Sequence, residues 1–249
     1  MKIIPDLQTV QWVLLIISAF FIGASKTGIS TLVTFVIPII ASAFGGMAST
    51  GIMLPMLVAG DSFALFYYRH NARAKDIIQL LPWTMVGLAL GLATGNYIND
   101  EQFKSLIAIC VLICLCIIIY FEIKKDTIRI PEKTWFYALA GIATGFTSMI
   151  GNAAGPLFSV YLLAKGVKKD SYLGNTAWFF FIVNLIKVPL QIFVWTNITG
   201  QTLLINLLLV PVIGIGAVFG ANVIKRVNEK VFRYITVGVT IIVSISLFI

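Results

Sequence analysis

From Ser105 to Phe121 the chain runs without one charged or amide side chain. A helix needs about 20 mostly apolar residues to cross the hydrocarbon core of a bilayer. Comparable apolar segments recur at 10–43, 51–69, 76–97, 135–164, 172–196, 202–224 and 231–248. Composition agrees, with 59% apolar and 11% charged residues, where a soluble domain normally carries about 25% charged residues to cover its surface. The bilayer is therefore the solvent.

The net charge of +8 sits in short links between apolar blocks. Cytoplasmic loops of membrane proteins carry their Lys and Arg in that position, so a nucleic-acid partner is excluded. Cys110, Cys114 and Cys116 lie within one apolar segment and form neither a disulfide framework nor a zinc site. They read as small buried apolar side chains. No metal and no cofactor is called for. The N-terminus lacks a basic region followed by a small-residue cleavage site, so the first apolar segment is expected to stay in the mature protein.

The apolar segments follow the same order twice. Residues 10–43 are interrupted at Gly23–Gly28, and 135–164 at Gly145–Asn152. Helices near 51–69, 76–97 and 103–122 follow the first, and helices near 172–196, 202–224 and 231–248 follow the second. Leu80, Pro82, Gly87, Gly91, Asn99 and Phe103 align without a gap on Leu209, Pro211, Gly216, Gly220, Asn228 and Phe232. Asp100 then meets Glu229, and Lys104 meets Arg233. The chain thus divides into a first repeat over 1–122, a cytoplasmic linker over 123–134 and a second repeat over 135–249.

Loop charge gives the sidedness. Arg69–Lys75 is basic and therefore inside, while Asn96–Gln102 and Trp195–Gln201 carry no Lys or Arg and lie outside. Lys124, Lys125, Arg129 and Lys133 place the linker inside, and so do Lys165, Lys168 and Lys169 for the next connection. Residues 135–164 therefore begin and end on one side and must turn back, either as a re-entrant hairpin or as two short crossing helices. The matching loops Asn96–Gln102 and Lys225–Val231 have opposite charge character, so the repeats are expected to lie upside down relative to each other, with both termini outside. The expected architecture is an all-α polytopic membrane protein of two inverted repeats. Each is a broken-helix hairpin plus three transmembrane helices, about eight hydrophobic segments in all. Inverted repeats with broken helices are a common transporter design.

Two groups of residues could carry chemistry. A helix that stops in mid-membrane is tolerated only against protein or a wet cavity. Where it restarts, its unpaired N–H groups suit an anion. Ser25, Lys26, Thr27 and Ser30 add donors and one positive charge at the first break, and Thr147, Ser148 and Asn152 are their counterparts at the second. The alternative is a pair of tight turns that merely reverse the chain. Lys26 could also snorkel to an interface.

The second group is polar residues inside helices. Asp61 lies within Leu54–Tyr68, and Asn184 and Lys187, three apart on one face, lie within Trp178–Trp195. Setting Gly51 against Gly174 puts Asp61 opposite Asn184. A charge at membrane depth is costly and usually faces a partner or cavity. Lys187 and Asn184 are candidates for substrate binding, and Asp61 for a coupling proton or cation. The structural alternative is an ion pair of Asp61 with Lys187 or with Lys26.

His70 reads as a solvated loop residue. Asn99 and Asn228 read as helix N-caps. The Gly87/Gly91 and Gly216/Gly220 pairs read as close helix-packing faces, and Trp12, Trp135 and Trp195 as interfacial anchors.

The interrupted first segment ends in Pro38. It is followed by Gly45-Gly46, the Arg69-His70 turn, the Pro82…Gly87…Gly91 helix and a second copy of the whole. This arrangement resembles the TauE/SafE family of membrane permeases, the sulfite exporters, over essentially residues 10–249. The resemblance implies sulfite and organosulfur anions such as sulfonates as substrates. The expectation is a permease of the prokaryotic cell membrane that moves a small anion by alternating access, without catalytic residues. The rivals are an uncoupled anion channel, a membrane-embedded enzyme and a membrane scaffold or sensor. HExxH, GxSxG and paired intramembrane aspartates are absent from the sequence, which weighs against the enzyme. The polar residues at membrane depth weigh against the scaffold.

Overall fold

A computed structural model describes residues 7–28, 32–123, 133–167 and 169–222, together with Ile241 and Ile245. Ser30, the basic linker residues 124–132 and, apart from Ile241 and Ile245, the expected last helix near 231–248, with Asn228 before it, lie outside the described residues. The helices are α1 (Thr9–Thr27), α2 (Leu32–Phe44), α3 (Gly46–Tyr68), α4 (Ala74–Tyr97), α5 (Asp100–Ile123), α6 (Thr134–Gly151), α7 (Gly155–Ala164), α8 (Lys169–Phe193) and α9 (Gly200–Asn222). One 3₁₀ turn, Arg69–Asn71, joins α3 to α4. Among the described residues, α1, α4, α5, α9 and the stretches Gly46–Asn71 and Ser171–Phe193 are long and apolar enough to cross a membrane. Ile16, Ile17, Leu90, Ile113, Leu207 and Ile215 are exposed on their outer faces, as lipid contact requires.

Both interrupted stretches are antiparallel hairpins. Gln11 Nε2 near the start of α1 donates to Ala43 O near the end of α2 at 3.5 Å. The rings of Tyr137 on α6 and Tyr161 on α7 lie 5.4 Å apart. Residues 134–164 thus turn back, as the loop charges require. The breaks, however, fall later than expected. α1 runs helically through Gly23–Thr27, and α6 through Gly145–Gly151.

The glycines read as helix breakers serve packing instead. A Cβ on Gly23 would meet Ile213 O at 2.0 Å, and one on Gly145 would meet Thr84 O at 2.1 Å. The facing helices answer in kind: a Cβ on Gly216 would meet Phe20 O, and one on Gly87 would meet Ile142 O, each at 2.1 Å. Small residues let membrane helices approach backbone to backbone in this way. With Gly23 set against Gly145 and Gly87 against Gly216, the α1–α9 and α4–α6 contacts correspond residue for residue, exchanged between the halves.

The two hairpins enter from opposite ends of the bundle. Tyr68 OH at the end of α3 donates to Thr27 O at 2.7 Å, so α1 ends where α3 ends. Tyr161 OH donates to Asp76 O at 2.7 Å, and Lys165 Nζ to Gln79 Oε1 at 2.6 Å. The mouth of the α6–α7 hairpin therefore lies at the start of α4, beside the basic Arg69–Lys75 turn. The mouth of the α1–α2 hairpin lies at the other end, where α3 begins. There Met47 N donates to Asp100 Oδ1 at 3.1 Å, and Asn99 and Gln102 form a reciprocal cap on α5. His70 is exposed, with the Arg69 Nε–H donating to its Nε2 at 3.1 Å.

Candidate functional site

The second break forms because α6 stops at a left-handed residue. Asn152 has φ 56° and ψ 20°, a conformation asparagine bears better than most side chains. Its backbone N–H donates to Ser148 O at 3.1 Å, and that of Ala153 to Thr147 O at 3.2 Å. Gly155 and Pro156 then restart the chain as α7, with proline in the first turn, where a missing N–H costs nothing. At the first break α1 ends in Ser25-Lys26-Thr27, and the chain is described again from Leu32, where α2 begins.

A cleft lies between the breaks. Ser25, Lys26 and Thr34 line it from the first hairpin, and Ser148, Asn152 and Gly155 from the second. Leu57 of α3 and Thr176, Phe180 and Asn184 of α8 complete its walls. Both restarted helices therefore begin at this cleft. The first turn of a helix carries N–H groups without intrahelical acceptors and the positive end of the dipole.

Beneath the cleft a continuous polar chain joins one break to the other. Lys26 Nζ lies 2.7 Å from Asp61 Oδ1 and 4.9 Å from the centre of the Phe180 ring. Asn184 Nδ2 donates to Asp61 Oδ2 at 2.7 Å. Lys187 Nζ, fully buried, donates to Asn152 Oδ1 at 2.5 Å and Ser148 O at 2.7 Å. Ser148 Oγ at 3.3 Å and Asn184 Oδ1 at 3.4 Å complete its surroundings. Each of these contacts is to an oxygen that accepts, the arrangement an ammonium with its donors requires.

The ion pair weighed for Asp61 thus forms with Lys26, and Lys26 points inward rather than snorkelling. Lys187 meets only neutral oxygens among the described residues. Its place against Ser148 O also sets a positive charge at the negative end of the α6 dipole.

Of the residues singled out in the sequence, Ser25, Lys26, Ser148, Asn152 and Asn184 line the cleft, and Asp61 and Lys187 lie behind its wall, 1% and 0% exposed. Thr27 and Thr147 do not join the lining. Thr27 Oγ1 donates to Ala217 O of α9 at 2.6 Å, and Thr147 Oγ1 to Ala143 O in its own helix at 2.8 Å. Ser30 lies outside the described residues. Thr176 and Phe180 were not singled out by sequence reasoning, yet they stand two turns and one turn before Asn184, a spacing that marks one helix face. Thr34 has no comparable signal, since nothing around it in an apolar run marks it.

Comparison with known proteins agrees with this architecture. Residues 15–247 match the family model described as Sulfite exporter TauE/SafE. No curated protein and no solved structure matches the chain. With nearly its whole length covered by that match, and with six apolar helices of membrane-spanning length among the described residues, the chain belongs to the sulfite exporter TauE/SafE family, and is a multi-pass membrane transporter rather than an enzyme.

Proposed function

We propose that the protein is a secondary transporter of a small anion, either sulfite or an organosulfur anion such as a sulfonate, working by alternating access. One observation carries the reading. Lys187 is a buried amine whose partners among the described residues are all neutral oxygens, behind a cleft on which both restarted helices begin. The charges of Lys26 and Asp61 offset each other, so a protonated Lys187 leaves the polar chain with one uncompensated positive charge at membrane depth. An anion supplies the missing charge. Asn152 Nδ2, buried at the cleft with no hydrogen-bond partner among the described residues, offers a further donor to an oxyanion. Ser25, Ser148 and Asn184 add polar groups, and Lys26 adds a second cation that releases Asp61 if that carboxyl takes a proton. Asp61 is accordingly the coupling residue in this scheme.

The two halves, 1–122 and 135–249 with the linker 123–134 between them, act as inverted repeats that rock about the polar chain. Hairpin mouths at opposite ends of the bundle and the exchanged α1–α9 and α4–α6 contacts support that relation. The basic Arg69–Lys75 end is cytoplasmic on the loop-charge rule. Both termini then face outward across the prokaryotic cell membrane.

The test is sulfite uptake into proteoliposomes with and without an imposed pH gradient. Saturable uptake that the gradient drives above equilibrium supports the reading. Flux that never saturates and never accumulates assigns an uncoupled anion channel instead. Absence of sulfite flux from folded protein moves the search to sulfonates and carboxylates by competition.

A further inference from the structure

On α8 the cleft lining ends at Asn184. The same helix face carries two more polar residues beyond it. Lys187 and Gln191 stand at the third and seventh positions after Asn184, the spacing that keeps side chains on one face. Gln191 is fully buried, and neither its Nε2 nor its Oε1 meets a hydrogen-bond partner among the described residues. A buried amide without a partner carries its full desolvation penalty. The opposite side of the helix, with Leu185 and Phe193 exposed, is ordinary lipid-facing surface.

The unpaired polar groups continue outward from Gln191. The Asn197 backbone N–H donates to Gln191 O at 3.1 Å, and the Asn197 side-chain oxygen is likewise buried and unpaired. Asn197 Nδ2 donates to Met47 O and Thr50 Oγ1, at 2.9 and 3.0 Å, which ties it to the first turns of α3. Asn206 donates to Ile52 O at 3.2 Å, and its own side-chain oxygen has no partner among the described residues. These groups lie at the end of the bundle away from the basic turn. A cleft on one side of Lys187, and on the other the unpaired Gln191 amide followed by the unpaired side-chain oxygens of Asn197 and Asn206, are what a closed half-pathway leaves behind.

We infer that Gln191 is an anion-binding residue of the half-pathway that is closed here. Its side-chain N–H groups receive the small oxyanion from Lys187, one turn away, when the route opens between the last turns of α8 and the first turns of α3. The inference rests on the transport reading above and adds to it the outer binding residue and the course of the outer route.

The experiment uses the full chain in oriented proteoliposomes, with Cys110, Cys114 and Cys116 replaced by Ala. Gln191→Cys is exposed to a charged, membrane-impermeant methanethiosulfonate from the side of the Thr196–Gly200 connection. Thr176→Cys, in the present cleft, is exposed from the Arg69–Lys75 side as the control. Gln191→Cys is expected to react from its side, with sulfite slowing the reaction at least threefold. Gln191→Leu, of similar size but without donors, is expected to lower sulfite uptake tenfold or more while remaining monodisperse in detergent.

The inference is overturned if Gln191→Cys stays unreactive while the control reacts. It is overturned equally if Gln191→Leu transports like the parent, a readout that holds even where the cysteine variant fails to fold. A parent protein that moves no sulfite defeats the substrate reading alone. Modification of Gln191→Cys is read without sulfite and still places Gln191 on the route.

Discussion

Asn184 donates its side-chain amide to Asp61 Oδ2 at 2.7 Å, and setting Gly51 against Gly174 in the sequence makes the two residues counterparts. Counterparts that touch each other lie where the halves meet. On the inverted-repeat reading proposed above, the hydrogen bond is a joint between the repeats, and its neighbours on either side, Lys26 and Lys187, reach the two breaks. Any motion of one half against the other acts on this joint. On that reading the Asp61 carboxylate stands where charge, substrate and movement would be linked.

Asp61→Asn tests that link. The amide preserves shape but leaves Lys26 without its counter-charge, and breaking a buried pair by removing one partner costs about 3–5 kcal/mol. The site also gains a net positive charge. A lower melting temperature in detergent is expected, with tighter apparent sulfite binding, slower turnover and uptake that no longer responds to an imposed pH gradient. Uptake that still follows the gradient removes Asp61 from coupling.

Lys187→Met removes the cation and keeps most of the volume. Hydrogen bonds to charged groups contribute about 1.5–3 kcal/mol, so apparent affinity for the anion should fall about 10- to 100-fold. Ser148 O and Asn152 Oδ1 lose their donor, so the α6 end should loosen as well. Sulfite titration of uptake in proteoliposomes measures the effect, and unchanged affinity excludes Lys187 from the site.

The return of residues 134–164 is legible in the sequence because loop charge obeys a sign rule that acts at long range. The correspondence of Asp61 and Asn184 is legible from the Gly51–Gly174 alignment, but their contact is not, because it depends on how the halves dock. The choice of Lys26 over Lys187 as the partner of Asp61 also turns on helix rotation, which an all-round apolar helix does not encode strongly. Gly23 and Gly145 misplace the breaks because glycine serves both to end a helix and to admit a neighbouring backbone, and only the packed structure separates the two uses. Thr34 enters the cleft through the geometry of the first hairpin alone.

The exchanged glycine contacts predict paired losses of stability. Gly87→Ala and Gly216→Ala each push a methyl group to 2.1 Å from a backbone carbonyl on the facing helix. Overpacking of this kind costs about 1–3 kcal/mol. Because the two contacts are counterparts, the falls in melting temperature should be alike. Gly200→Ala, with nothing within 4 Å, should leave it unchanged. Unequal falls would show that the halves do not share one packing scheme.

Sidedness follows from the positions of the two connections. Asn71 lies in the turn between α3 and α4, and Gly200 begins α9. Both residues are exposed. Contacts put the first beside the α6–α7 hairpin mouth and the second beside the start of α3, at opposite ends of the bundle. In a variant without native cysteines, Gly200→Cys in whole cells should react with an impermeant maleimide. Asn71→Cys should react only after the membrane is opened. Reaction of both from outside would break the opposite-end placement, and with it the inverted relation of the halves. Reaction of Asn71→Cys alone would keep the architecture but reverse its orientation, against the charge rule for basic loops.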